Sequence, residues 1–390
     1  MVLRRMKLFV QGRRLRMISL LSIVLPALIA TGCVRFAEKV SEFPVGLYDV
    51  PPEKFGDVAA AGFNFVVAPA NNRTLGEAQR FGLRIIGNPA VLPNDERKNR
   101  DSAFRAGDAN AALWGWYLFD EPDLHFLSPE KVAALQTRLR AASRKPSLLV
   151  MSSGSAVKKY ARSADYVAID FYPVPWAPVA MVAKEMRLAR IAMQGRPFWA
   201  VLQAFNWSAF PGQLRTDVPL REPTPEEFRC MAYLALVQGA QGLLFYTYET
   251  ATWRLPEHPR LWAAASDLAF EVREWAALFG ERVEWWPART EYHGEPAAQF
   301  NEIMEGRIAL GLFRARDDES SDRKGYYLMG VNSTGQAVDF SFELPFREVQ
   351  SLETWCAKNE FTVSGRWVRK LYQPYEVCVF GPINGRLADD

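Results

Sequence analysis

The densest chemistry in the sequence is Asp120-Glu121-Pro122, which closes the apolar run Leu113-Trp-Gly-Trp-Tyr-Leu-Phe119. A carboxyl at the end of an apolar strand is partly desolvated. That lifts its pKa toward the range in which it donates a proton near neutral pH. Glu121 is therefore the candidate general acid, with Asp120 beside it. Other apolar runs also end in polar groups: Asp49, Asn72, Asp170, Gln203 and Tyr248-Glu249. Tyr172 lies two residues past Asp170, hence on the same face of a strand. These ends offer no convincing nucleophilic Ser or Cys. With three His and no CxxC, the chain offers no metal site either. Carboxylates handle protons and oxocarbenium charge, and Trp207 and Trp253, in loops after two of these ends, offer faces for the C–H side of a sugar ring.

Eight strand-like runs carry these ends: Val45–Val50, Phe63–Pro69, Leu83–Asn88, Leu113–Asp120, Ser147–Ser152, Tyr166–Tyr172, Phe198–Phe205 and Gly242–Tyr248. Several are continuously apolar, as strands covered on both faces must be. Helical stretches alternate with them, one opened by the capping box Thr224-Pro225-Glu226-Glu227. Gly62, Gly82 and Gly242 precede strands, where positive φ is expected. Eight βα units over residues 44–280 predict a (β/α)8 TIM barrel, whose catalytic residues come from the C-terminal ends of its strands. An open doubly wound sheet would ask for a Gly-rich phosphate loop after the first strand, and Tyr48-Asp-Val-Pro-Pro52 is none. Beyond residue 280 the period becomes two, as in Val338-Asp-Phe-Ser-Phe-Glu-Leu344. Residues 281–390 are expected to form a small antiparallel β-sandwich with wet outer faces, packed on the barrel with Trp285-Trp286 at the junction.

The chain has 390 residues and a net charge of +3. Residues 1–32 hold six Arg and Lys and no acid. Without those six, 41 basic residues face 44 acidic ones, a net of −3, which leaves no electrostatic footprint for nucleic acid. The apolar run 17–30 is short for a bilayer span of about 20 residues and reads as the core of an export signal. Ala30-Thr-Gly-Cys33 resembles the lipobox of bacterial lipoproteins, which implies lipidation of Cys33, a tether at 33–43 and an outer-membrane rather than inner-membrane destination. Cys356 and Cys378 either bridge or are separately buried thiols.

The barrel-end segments resemble those of TIM-barrel glycoside hydrolases. Asp120-Glu121-Pro122 is similar to the strand-four acid/base motif of the large retaining clan, Ala164–Pro173 to its strand-six segment, and Tyr326–Thr334 and Leu371–Val377 to the sandwiches ending many such enzymes. The resemblance implies a hydrolase of poly- or oligosaccharides with Glu121 as acid/base, no cofactor, membrane contact only through the lipid anchor, and a monomer. It departs at strand seven, where the clan's nucleophilic Glu is replaced by Gln203. Three readings follow: Asp170 or Glu249 is the second carboxylate, with Asp170 the nearer strand; the substrate supplies an acetamido nucleophile; or the barrel binds carbohydrate without cleaving it. Asp49, Asn72, Tyr172, Gln203, Trp207, Tyr248, Glu249 and Trp253 are the expected substrate contacts.

The N-terminal reading is tested by mass spectrometry of protein extracted from membranes. The expected species begins at a lipid-modified Cys33; an intact Met1 or an unmodified Cys33 would overturn it.

Overall fold

In the computed structural model, the residues described are 42–88, 100–214, 217–284, 287, 289–294, 306–316, 323–347, 352–355, 361–384 and 387. Cys33, Trp285-Trp286 and Cys356 lie outside them. Eight parallel strands close a barrel in chain order: β1 Val45–Tyr48, β2 Phe65–Ala68, β3 Arg84–Gly87, β4 Leu113–Asp120, β5 Ser147–Met151, β6 Tyr166–Phe171, β7 Phe198–Gln203 and β8 Leu243–Tyr246. Helices at 55–60, 72–81, 100–108, 129–142, 157–160, 181–193, 225–237 and 259–278 stand between and after them.

Alternation along the strands sorts side chains into two cores. Leu47, Val66, Val167, Ile169, Ala200 and Leu202 face the helices. Their neighbours fill the barrel. At its lower end Phe65, Trp114, Tyr166 and Trp199 pack ring on ring, with centroids 4.8–5.8 Å apart. Aromatic edges and faces meet there in the arrangements that their quadrupoles favour. Gly62 and Gly82 take the expected positive φ, 91° and 70°. Gly242 does not, and it serves another purpose. A Cβ there would lie 2.6 Å from the Trp199 ring, so glycine makes room for the aromatic plug.

The sandwich consists of a four-stranded sheet, order β10-β13-β16-β15, and a five-stranded sheet, order β14-β17-β12-β11-β9. Here β9 is Phe279–Val283, β10 Thr290–His293, β11 Ile308–Ala315, β12 Tyr326–Asn332, β13 Val338–Glu343, β14 Thr354–Trp355, β15 Phe361–Ser364, β16 Trp367–Tyr372 and β17 Val377–Ile383. The four-stranded sheet shows the expected wet face, with Thr362, Arg369 and Leu371 exposed. The five-stranded sheet has none. Ile308, Leu310 and Leu312 of β11 enter the sandwich core, while Ala309, Phe313 and Ala315 join the barrel's outer core. Both faces are covered, so β11 is apolar almost throughout.

The barrel meets this sheet through the helix 225–237. Thr224 and Glu227 form its capping box. Glu227 also takes two bonds from Arg221, at 2.6 and 2.8 Å, and one from Tyr375 of the sandwich at 3.5 Å. Cys230 on the same helix donates to the Asn332 carbonyl, and Arg282 donates to that of Val237 at 2.8 Å. Cys230 is a free, buried thiol, and Cys378 on β17 is disulfide-bonded.

Gly242→Ala is expected to destabilise the protein by about 1–3 kcal/mol, the usual cost of overpacking a filled core. Urea unfolding measures it. A midpoint equal to wild type would show that the Trp199 plug yields freely.

Candidate active site

An irregularity in β4 aims the first acid. Residues an odd number apart on a regular strand point to opposite faces, yet Tyr117 donates its hydroxyl to Asp120 Oδ1. The pairing with β5 runs Tyr117 to Leu148 and then Phe119 to Leu149, so one residue is extra. This bulge turns Leu118 and Phe119 both toward the outer core and brings Asp120 round beside Tyr117 at the barrel mouth. Bulges beside functional sites re-aim side chains in this way.

Glu121 follows at φ 43° and Asp49, at the end of β1, at φ 57°. Left-handed backbone costs a non-glycine residue roughly 1–2 kcal/mol, and the surroundings hold both in place. Glu121 N donates to Val150 O at 2.9 Å. Asp123 accepts from Ser152 N at 3.2 Å and from its hydroxyl at 2.9 Å, and Tyr160 donates to the Leu127 carbonyl at 2.7 Å. The loop bearing Glu121 is thus pinned to β5 and to the helix 157–160. Asp49 accepts from Thr247 Oγ1 at 2.9 Å.

The Glu121 carboxyl meets Asp170, the last inward residue of β6, side chain to side chain. Asp170 is 8% exposed. Tyr172 reaches its Oδ2 at 3.5 Å, and the buried Oδ1 takes no bond from an N–H or a hydroxyl of the described residues. Two carboxylates in contact do not both ionise, so the pair shares a proton. Burial, then the Glu121 charge, push Asp170 well above the usual carboxylate range. Glu121 is raised too, by burial first and by Asp120, against the Asp170 hydrogen bond and His125. Burial and the Asp120 charge likewise raise Asp49, against the Thr247 bond.

Four tyrosines complete the mouth. Tyr48 donates to the Tyr117 hydroxyl at 3.4 Å. Tyr246, the last residue of β8, packs edge-on to Tyr48 and stacks on Tyr172 and Phe210, with centroids 5.6–5.8 Å away. Burial and then the charges of Asp49, Asp120, Glu121 and Asp170 push its hydroxyl to about 12. Burial and neighbouring acids raise Tyr48, Tyr117 and Tyr172 well above 10. All four remain hydroxyl donors at neutral pH. Trp207 stands half-buried against Tyr172 and Phe205 and donates to the Tyr172 carbonyl at 3.4 Å.

Asp49, Asp120, Glu121, Asp170, Tyr172 and Trp207 therefore gather at the mouth. Five other expected contacts do not. Gln203 is fully buried: Val174 N donates to its Oε1 at 2.8 Å, and its Nε2 donates to Val174 O at 2.8 Å and Phe205 O at 3.1 Å. Its whole amide is spent bracing the β6 loop. Asn72 is exposed at the start of its helix, with Asn71 as the cap accepting from Thr74 N. Tyr248 packs against Trp262 of the outer helix 259–278. Glu249 is paired with Arg254 at 3.3 Å. Trp253 is 5% exposed and stacks on His258, with centroids 3.8 Å apart; it is loop core. Tyr48, Tyr117 and Tyr246 went unread in the sequence. The signal was inward parity: Tyr246 follows Leu244 inward, and taking the strand end as Tyr248 hid it.

No family model and no curated protein matches the chain. Among solved structures, a catalytic mutant of a family 42 β-galactosidase from G. stearothermophilus superposes with a TM-score of 0.52 at 8% identity, over 89% of this chain and 99% of that one. A β-galactosidase from Bacillus circulans sp. alkalophilus gives 0.48 at 11%, over 61% of this chain and 57% of the enzyme's own length. A family 113 β-1,4-mannanase gives 0.44 at 9%, over 59% and 97%. The chain shares the barrel fold. At such identities the likeness speaks for the fold alone, and the chemistry rests on the mouth itself.

The raised Asp170 predicts a pH signature. Its folded pKa lies above the unfolded value of about 3.9. The folded state therefore holds the proton more tightly, and that stabilisation is complete below the unfolded pKa and lost as pH rises through the folded one. Asp170→Asn removes the loss. Its melting temperature is expected to exceed that of wild type at pH 8, with the gap narrowing toward pH 4. Parallel melting profiles would show that Asp170 buries no unfavourable charge.

Proposed function

We propose that the protein is a glycoside hydrolase acting on a poly- or oligosaccharide, with Glu121 as general acid. The observation that carries this is the contact of the Glu121 and Asp170 side chains at the C-terminal mouth of the barrel, where this fold keeps its chemistry; two carboxyls so placed would share a proton. A carboxylic acid kept protonated near neutral pH is what a leaving glycosidic oxygen needs. The hydroxyls of Tyr48, Tyr172 and Tyr246 and the face of Trp207 suit a polyol with apolar ring faces.

The contact also divides the roles. In this reading Glu121 and Asp170, whose side chains are in contact, hold one proton between them and act as one acid rather than as acid and nucleophile. Glu249 is engaged by Arg254 and Gln203 by the β6 loop. In this reading the second carboxylate is Asp120, next to Glu121 in the chain and oriented by Tyr117, rather than Asp49, which accepts from Thr247. In the same reading the chain is exported and held on the envelope by lipid at Cys33.

The test is reducing-end release from a panel of polysaccharides. Glu121→Gln is expected to lower turnover about 10²–10⁴-fold, the usual worth of a general acid, and Asp170→Asn to move the alkaline limb of the pH–rate profile. The absence of a carboxylate at the end of β7 favours one other reading, a carbohydrate-binding scaffold. Wild-type binding of a glycan with no release from any member of the panel would establish that reading instead.

A further inference from the structure

The base of the barrel, opposite the mouth, has a character of its own. Seven turns lead into β2–β8 there, and all of their residues are described. Arg84 opens β3, Arg144 and Lys145 precede β5, Arg162 precedes β6 and Arg196 precedes β7. Two acids stand among these five, and both are bound within the fold. Asp165 is engaged by Arg140 and by the Ser147 amide at 2.9 Å. Asp108 accepts from the Ser143 hydroxyl and from the Arg144 amide at 2.7 Å. Lys145 and Arg196 are half-buried and brace neighbouring carbonyls, whereas Arg84, Arg144 and Arg162 are exposed. Exposed apolar side chains accompany them. Phe81 ends the helix 72–81, Ile191 lies near the end of the helix 181–193, and Phe270 packs on Gly62 yet is more than half exposed. The sandwich takes only the turn before β8, where Arg282 of β9 lies against Gly239 and donates to the Val237 carbonyl.

The chain also enters at this end. Just before β1, Glu42 lies 3.6 Å from Arg273, and the Phe43 carbonyl accepts from Asn64 Nδ2 at 3.0 Å. From Cys33 to Glu42 is nine residues, about 30 Å at full extension. The helix 259–278 starts above β8 and reaches the base, where Arg273 donates to the Gly62 carbonyl at 3.0 Å; it is itself about 30 Å long. A tether of that length would be used up in passing the barrel, so it holds the base, not the mouth, toward a surface to which Cys33 is fixed. Apolar exposure alone does not choose the face, since Leu124, Phe126 and Trp176 are exposed in the loops after β4 and β6. Charge does: an anionic lipid surface attracts the basic base and repels the carboxyls of the mouth. We propose that the base of the barrel, over the turns before β3, β5 and β6, rests on an anionic lipid surface with the mouth turned away from it. The glycan is then taken from the side facing away from the bilayer, not from a lipid head group.

This inference rests on the reading of a chain held on the envelope by lipid, and one experiment separates their failures. The full chain, extracted from membranes, is reconstituted into vesicles of phosphatidylcholine alone or mixed with phosphatidylglycerol, and amide hydrogen exchange is followed by mass spectrometry. Exchange at residues 82–84, 143–146 and 161–165 is expected to be at least about threefold slower on the mixed vesicles. High salt should remove the difference, and so should Arg144→Glu combined with Arg162→Glu; the salt comparison on wild type stands alone if that variant does not fold. Slowing at the mouth, residues 121–128 and 172–177, in place of the base overturns the inference. So does a slowing at the base that high salt leaves untouched, or equal exchange there on both kinds of vesicle. Equal exchange on protein that carries lipid at Cys33 leaves the anchor reading in place. Salt-sensitive slowing at the base on protein whose mass shows no lipid supports the inference and removes the anchor reading.

Discussion

A proton held between Glu121 and Asp170 is the interaction on which the arrangement of the mouth depends. Two carboxyls pressed together inside a barrel repel unless one is neutral, and the neutral form is favoured by burial and by the neighbouring carboxyl. To hold them there, the chain places a non-glycine residue in left-handed backbone, adds a residue to β4, and ties the following loop to β5 through Asp123 and Ser152. None of these local choices favours folding by itself. Each makes sense as a constraint that keeps the Glu121 carboxyl against Asp170. Strain of this kind persists only where the surroundings over-determine it.

The surroundings do so because most of the remaining structure is spent on rigidity. Below the mouth lies an aromatic plug so tight that Gly242 cannot carry a Cβ without meeting Trp199. Behind it the five-stranded sheet of the sandwich covers the helix 225–237, and Glu227 joins that helix's cap to Arg221 and Tyr375 in one network. The outer core runs without a break from the barrel helices into Ala309, Phe313, Met329 and Val379. The sandwich thereby acts as a back plate for one side of the barrel.

How much of this was legible in the sequence follows from which signals are local. The eight strands and the sandwich declare themselves by period, and the capping box by spacing, because those patterns are fixed by neighbours along the chain. Asp120, Glu121 and Asp170 were legible as polar ends of apolar runs. Tyr246 and Tyr248 were not distinguishable, since they lie two residues apart and only the true end of β8 decides which faces inward. The meeting of Glu121 with Asp170 was also hidden. It depends on a bulge at Leu118, and the string Leu113-Trp-Gly-Trp-Tyr-Leu-Phe119 reads equally well as a regular strand. The two-sided burial of β11 was half legible: its apolar run is plain, but what covers each face is a tertiary fact.

Gln203 shows why residue type at a strand end does not by itself settle a role. An amide has donors and an acceptor where a carboxylate has acceptors alone, and here each is used. Oε1 takes the Val174 amide, and Nε2 serves the carbonyls of Val174 and Phe205. A glutamate at this position could accept from Val174 N but would set its second oxygen against two carbonyls. The loop it braces begins at Tyr172, whose hydroxyl reaches Asp170 and whose carbonyl receives the indoles of Trp176 and Trp207. An amide at the end of β7 thus adds no charge there and braces the wall that holds Asp170. The carboxyls of the mouth stand on β4 and β6 and after β1, and β7 supplies the brace beside them.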